Sequence, residues 1–127
     1  MKKFLWYWGP VLAWMAIIFF FSSRERAHVS DVYSINFFFF KSLHVIEYAA
    51  LYFLIFRAGL QGKVRNTKRA WVTAFIVAIL YAISDEVHQT FVPTREGRPR
   101  DVAIDIIGMS LMYAYTRYRL PTLKRFL

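Results

Sequence analysis

The sequence predicts an all-α membrane protein of four transmembrane helices with both termini cytoplasmic. Three observations carry that reading. The chain is 127 residues long yet 57% hydrophobic and 20% aromatic, and a small soluble fold exposes too much of its surface to hide that apolar share. The apolar residues gather in four long blocks instead of narrow stripes. The 17 Lys and Arg, against 8 Asp and Glu, lie mostly between those blocks and at the chain ends. Residues 1–127 read as one domain, with no internal repeat, low-complexity tract or linker. The hydrophobicity excludes disorder. The absence of Cys excludes a secreted disulfide scaffold.

The first block runs from Phe4 to Phe21, 18 residues without a charge. That is about enough to cross ~30 Å of hydrocarbon at ~1.5 Å per residue. Gly9 and Pro10 interrupt it, which membrane helices tolerate, and Trp6, Tyr7 and Trp8 suit an interfacial belt. A signal peptide with Lys2 and Lys3 as its basic start is the competing reading. The apolar core is too long for it, and no small-x-small cleavage site follows, so a retained helix is expected. The second block, Ile35 to Phe56, contains Lys41, His44 and Glu47; its Phe37–Phe40 run reads as a lipid-facing or interfacial patch. The third, Ala70 to Ile83, is extended by Asp85, Glu86, His88 and Gln89 before Pro93. The fourth, Val102 to Tyr118, has Asp105 inside it and Asp101 at its start. Blocks three and four each need a polar residue near one end to reach spanning length.

Charge orients the chain. The N-terminus, the segment between blocks two and three, and the C-terminal tail hold eleven Lys and Arg; the other two loops hold five. The excess of Lys and Arg on the cytoplasmic side of membrane proteins then places the 1–2 and 3–4 loops outside. The net charge of +9 is mostly this topology signal, plus attraction to anionic headgroups. Nucleic-acid binding is not expected.

Polar residues recur at helical spacing in the outer half of three blocks. Lys41, His44, Glu47 and Tyr48 lie in block two, and Tyr81, Asp85 and His88 or Gln89 in block three. Asp101, Asp105 and Gly108 follow i, i+4, i+7 in block four. Three helices thus turn polar stripes toward one another beneath the Phe91–Arg100 loop, which two prolines and a glycine shape. A charge at membrane depth costs roughly 2.5–3.5 kcal/mol, so such groups pair. Lys41 and Arg95 are the natural counter-ions for Asp85, Glu86, Asp101 and Asp105. An ion-paired network that merely holds the helices together is the bland account. Crowding of acids at one membrane face beside two histidines points beyond it.

The candidate catalytic residues are Glu86, His44 and Asp85, with His44 as a general base paired to a carboxylate. The candidate substrate-binding residues are Lys41, Tyr48, Gln89, Arg95, Arg98, Asp101 and Asp105. Arg95 and Arg98 could clamp phosphate or carboxylate in bidentate fashion. Asp85, Glu86, His88, Asp101 and Asp105 offer donors to a divalent ion, but no tight spacing such as His-Glu-x-x-His is present. No metal and no cofactor is therefore expected. Helix-end hydrogen bonding explains Ser22, Ser23 and Ser30 better than nucleophilic roles do, and Gly108 reads as a close-packing position. His28 and Asp31 read as ordinary loop residues.

The ordered set of these residues resembles the VanZ-like family of small membrane proteins, named for a teicoplanin-resistance protein. It comprises Phe-Phe-Ser-Ser at Ser22 and Ser23, then Lys41-x-x-His44-x-x-x-Tyr48. Its most specific part is Ser84-Asp85-Glu86-x-His88-Gln89-x-Phe91-x-Pro93-x-Arg95, followed by Asp101-x-x-x-Asp105-x-x-Gly108. Three positions depart from the family pattern. Arg24 stands where Gln is common, Asp105 where Asn is common, and Met112 where a second glycine is common. The Asp105 departure adds negative charge to a crowded site.

The resemblance implies an integral membrane protein, associated in some members with lowered sensitivity to lipoglycopeptide antibiotics. It names a phenotype and no reaction. Together with the polar stripes, it leads us to expect a multi-pass cell-membrane protein of the cell envelope. Its outward-facing polar pocket would bind an amphiphile, either a lipoglycopeptide or a lipid-linked headgroup. The alternative is a membrane-embedded acid–base hydrolase or transferase acting on a lipid-linked envelope substrate. A transporter is disfavoured, because the cytoplasmic halves of the blocks are almost free of ionisable residues. Membrane lipids are the expected partners. The size is compatible with a homodimer, although no GxxxG motif points to one.

Overall fold

The computed structural model describes residues 2–25, 31–61 and 66–123. Four helices form in chain order: α1 (Lys2–Ser22), α2 (Tyr33–Gln61), α3 (Thr67–Gln89) and α4 (Pro99–Leu123). Among the described residues there is no strand. The expectations for Arg26, His28, Ser30, Lys63, Arg65, Lys124 and Arg125 concern residues outside the described ones.

Each apolar block proves to be the interior of a longer helix. α2 reaches 29 residues because backbone hydrogen bonding continues past the apolar run into its polar flanks. Pro10 sits inside α1 without ending it. Asn66 caps α3: its side-chain oxygen accepts from the N–H groups of Lys68 at 3.0 Å and Arg69 at 3.3 Å. Pro99 opens α4, where its missing N–H is no loss.

By length and composition α1, α2 and α3 can each cross a membrane. α4 is long enough but carries Asp101, Asp105, Arg117 and Arg119, which dilute its apolar character. The outer surface agrees with a membrane protein. Phe4, Leu12, Phe38, Ile76, Leu80 and Leu111 are all exposed, while Asp85, Glu86, Asp101 and Asp105 are buried. In water that arrangement would be inverted.

α2 is the central helix. It runs antiparallel to α1, as Tyr7–Arg57 and Trp14–Glu47 require, antiparallel to α3, as Tyr52–Phe75 and Phe56–Trp71 require, and parallel to α4, as Lys41–Asp101 and His44–Asp105 require. Its apolar face packs Leu51, Tyr52, Ile55 and Phe56 into the core. α3 answers with Ala70, Ala74, Ala78 and Ala82, one small residue per turn, which lets the two backbones approach. On the α4 side Gly108 meets the Val45 backbone, and an added Cβ would collide with the Val45 carbonyl. The close-packing expectation for Gly108 therefore holds. The Phe37–Phe40 patch is split: Phe38 and Phe39 are exposed, whereas Phe37 and Phe40 are half-buried against polar neighbours.

Candidate functional site

The end of the bundle where α1 stops and α4 starts is polar inside. Two rungs cross from α2 to α4. Lys41 Nζ lies 2.5 Å from Asp101 Oδ1, and His44 Nδ1 lies 3.0 Å from Asp105 Oδ1. The parallel direction of the two helices makes this work, since i, i+3 on α2 faces i, i+4 on α4. From α3, Gln89 Nε2 donates to Asp85 Oδ2 at 3.0 Å, the i, i+4 partner on the same face. Glu86 Oε2 accepts the backbone N–H of Arg98 at 2.8 Å, which ties the 3–4 loop to α3. Asp85 Oδ1, Glu86 Oε1 and Asp105 Oδ2 are buried with no hydrogen-bond partner. Leaving a buried acceptor unmet costs about 1–3 kcal/mol, more when it is charged.

Beside this cluster lies a cleft of about 590 Å³ between α1, α2, α3 and the loops that follow α1 and α3. Ile18, Phe21, Phe40 and Leu43 make its apolar wall; His44, Glu47, Asp85, Gln89 and Arg95 make its polar wall. Ser22, Arg24 and Glu25 complete it from the end of α1. A second recess of about 290 Å³ lies across Phe40 and includes Lys41, Arg98, Arg100 and Asp101.

The 3–4 loop is held tightly. Arg95 Nε donates to the Arg24 carbonyl at 2.7 Å and Nη2 to the Phe21 carbonyl at 3.0 Å, which also accepts the Arg24 N–H, so the loop grips the backbone just where α1 ends. Gly97 sits against Glu86 and Thr90 with no room for a Cβ. Thr94 has a φ of 66°, the left-handed region that a β-branched residue rarely adopts.

Of the expected site residues, the structure gathers Lys41, His44, Glu86, Asp101 and Asp105 into the buried cluster, and His44, Asp85, Gln89 and Arg95 onto the cleft. Several placements differ from expectation. Arg95 grips α1 from the cleft wall instead of serving the buried acids through its Nε and Nη2 groups. The Arg98 guanidinium hydrogen-bonds Glu96 at the surface, which raises its pKa above the ordinary arginine value. His88 turns to α1, with Nε2 at 2.9 Å from Ser23 Oγ and its ring stacked on Phe19 at 4.6 Å. It contributes nothing to the acidic cluster. Tyr48 is fully buried and does not line the cleft. Ser23 bonds the Phe19 carbonyl as a helix-end serine, but Ser22 Oγ has no partner and faces the cleft. Phe40 was not expected on the cleft, whereas Glu47, which the polar stripe of the second block included, lines it beside His44.

A family model described as VanZ/LLP1 covers residues 7–120, which include every residue of the cluster and the cleft. Neither curated proteins nor solved structures give a significant match.

Proposed function

This chain belongs to the VanZ/LLP1 family, and on that premise we propose that its cleft binds an amphiphile at the outer face of a cell membrane. The observation that carries the reading is the two-sided cleft. Its volume of about 590 Å³ falls in the range that takes small organic ligands. An acyl chain lies against Ile18, Phe21, Phe40 and Leu43, and a polar head meets Gln89, Arg95 and Arg24. A lipid-linked phosphate or sugar, or a lipoglycopeptide, has that shape. A role in glycopeptide-antibiotic resistance is consistent with the family.

The same reading takes α4 as the fourth span, with both termini cytoplasmic. Its two acids meet Lys41 and His44 on α2, which lowers the cost of burying them in the bilayer. The charge asymmetry of the loops supports the cleft opening outside.

One observation favours a second reading, acid–base catalysis on a lipid-linked substrate. His44 lies on the cleft wall, and its Nδ1 is 3.0 Å from a fully buried carboxylate, the arrangement that orients a general base.

Native mass spectrometry of the protein in nanodiscs tests the binding reading, with an undecaprenyl-type diphosphate lipid and a lipoglycopeptide as probes. Retention of either probe is expected in the wild type, and at least a tenfold loss in Leu43→Trp, which fills the cleft. Equal retention by both proteins would overturn it. If the site turns over substrate, His44→Gln abolishes turnover and leaves Kd within a few-fold.

A further inference from the structure

Three helices bring His44 of α2, Glu86 of α3 and Asp105 of α4 together. One ligand-capable atom from each lies within 4.8 Å of the others. We propose that these three residues bind one divalent first-row cation, Zn²⁺ or Mn²⁺. The site lies behind the polar wall of the cleft and shares His44 with it. It stands whether or not the cleft takes an amphiphile.

Geometry is the first argument. Donors that share one ion at about 2.0–2.2 Å stand roughly 3–4.3 Å from each other, so small side-chain adjustments close the triad on an ion. His44 Nδ1 and Asp105 Oδ1 are already 3.0 Å apart.

The second argument is independent of clustering. Glu86 Oε1 and Asp105 Oδ2 have no hydrogen-bond partner, on residues only 5% and 0% exposed. Native proteins rarely leave such atoms bare. Charge makes the point sharper. Lys41 answers Asp101, and Gln89 gives Asp85 a hydrogen bond without a charge. Among the described residues no lysine or arginine side chain forms an ion pair with Glu86 or Asp105. Two carboxylates therefore face one imidazole in a low-dielectric bundle. A dication would balance both and take up the bare oxygens together.

The donor chemistry selects the ion. One imidazole nitrogen with two carboxylate oxygens suits Zn²⁺ or Mn²⁺; Ca²⁺ asks for more oxygens, and Mg²⁺ for an all-oxygen shell. No linear spacing could announce such a site, because each ligand comes from a different helix. The cleft gives the ion a way in at His44.

Isothermal titration of the chelator-treated, tag-free protein in detergent tests this with Zn²⁺ and Mn²⁺ salts. The wild type should bind one equivalent. Glu86→Gln and Asp105→Asn should each lose at least tenfold in affinity. Glu96→Gln, on the exposed loop, should bind as the wild type does. Because loss of folding in the two buried variants would also abolish binding, X-ray absorption on the Zn²⁺-loaded wild type is the second readout, and one imidazole among oxygen neighbours is expected. Absence of saturable binding by the wild type, undiminished affinity in both folded variants, or a shell without imidazole would each overturn the proposal.

Discussion

The two long seams of α2 are built on opposite principles. Against α3, Tyr52, Ile55 and Phe56 pack on an alanine ladder from Ala70 to Ala82, and the charged groups of that pair of helices, His44 and Glu86, meet only past the end of the ladder. Rings extend this end, with Tyr52 on Phe75 at 4.8 Å and Trp71 on Tyr113 at 5.5 Å. Against α4, Lys41–Asp101 and His44–Asp105 cross the interface as rungs, and Gly108 rides on the Val45 backbone. The apolar seam depends on volume, so many sequences could make it. The polar seam is specified atom by atom, and burying its charges costs more than packing alone requires. Stability explains the first seam, whereas the second has a surplus of acids for which function is the natural reason.

Mutations separate the two. Lys41→Met leaves buried Asp101 with only the long contact to Arg100 Nε at 3.8 Å and should destabilise the bundle by about 3 kcal/mol. The double variant Lys41→Met, Asp101→Leu should regain most of that stability in detergent unfolding. If the double variant stays as unstable as the single one, the rung is not an ion pair in the sense argued here. Gly108→Ala comes next, at about 2–3 kcal/mol, because the new Cβ meets backbone and only a helix shift relieves it. A wild-type melting curve for Gly108→Ala would break the close-approach account of the α2–α4 seam. On the apolar side, Ala78→Leu overpacks a fully buried position and should cost about 1–3 kcal/mol. It should leave the affinity of the cleft unchanged once folded protein is selected; a loss of affinity there would erase the contrast between seams. The smallest effect expected is that of Arg95→Gln, about 1 kcal/mol from weakened capping of α1. Protease accessibility of the Ser22–Glu25 segment should rise in that variant, and an unchanged digestion pattern would count against the capping role.

The same contrast sorts what the sequence made legible. The helices were readable because each apolar block is a helix interior, and Gly108 fell at a spacing that a face can use, whereas the alanine ladder of α3 showed its role only in the packed bundle. Lys41 as a counter-ion was readable too, since a membrane-depth charge must pair. The partner of a loop residue was not readable. Arg95 could reach acids or backbone carbonyls, and only the folded loop decides that it grips α1. His88 and Gln89 were equal candidates for the face of Asp85. The i+4 residue took that face, leaving His88 to Ser23 and Phe19. The approach of His44, Glu86 and Asp105 was illegible because it joins three separate segments.

The central claim is that the cleft and its polar cluster open on the outer face of the membrane, and cysteine labelling tests it most directly. The chain has no Cys of its own. Gly97 cannot take a side chain, so Phe91, 80% exposed in the 3–4 loop, is the position to replace. Lys68 at the start of α3 is the opposite control. With a membrane-impermeant maleimide on intact cells, Phe91→Cys should label and Lys68→Cys should label only after lysis. Labelling of Lys68→Cys in intact cells, with Phe91→Cys protected until lysis, would contradict the account and turn the cluster toward the cytoplasm.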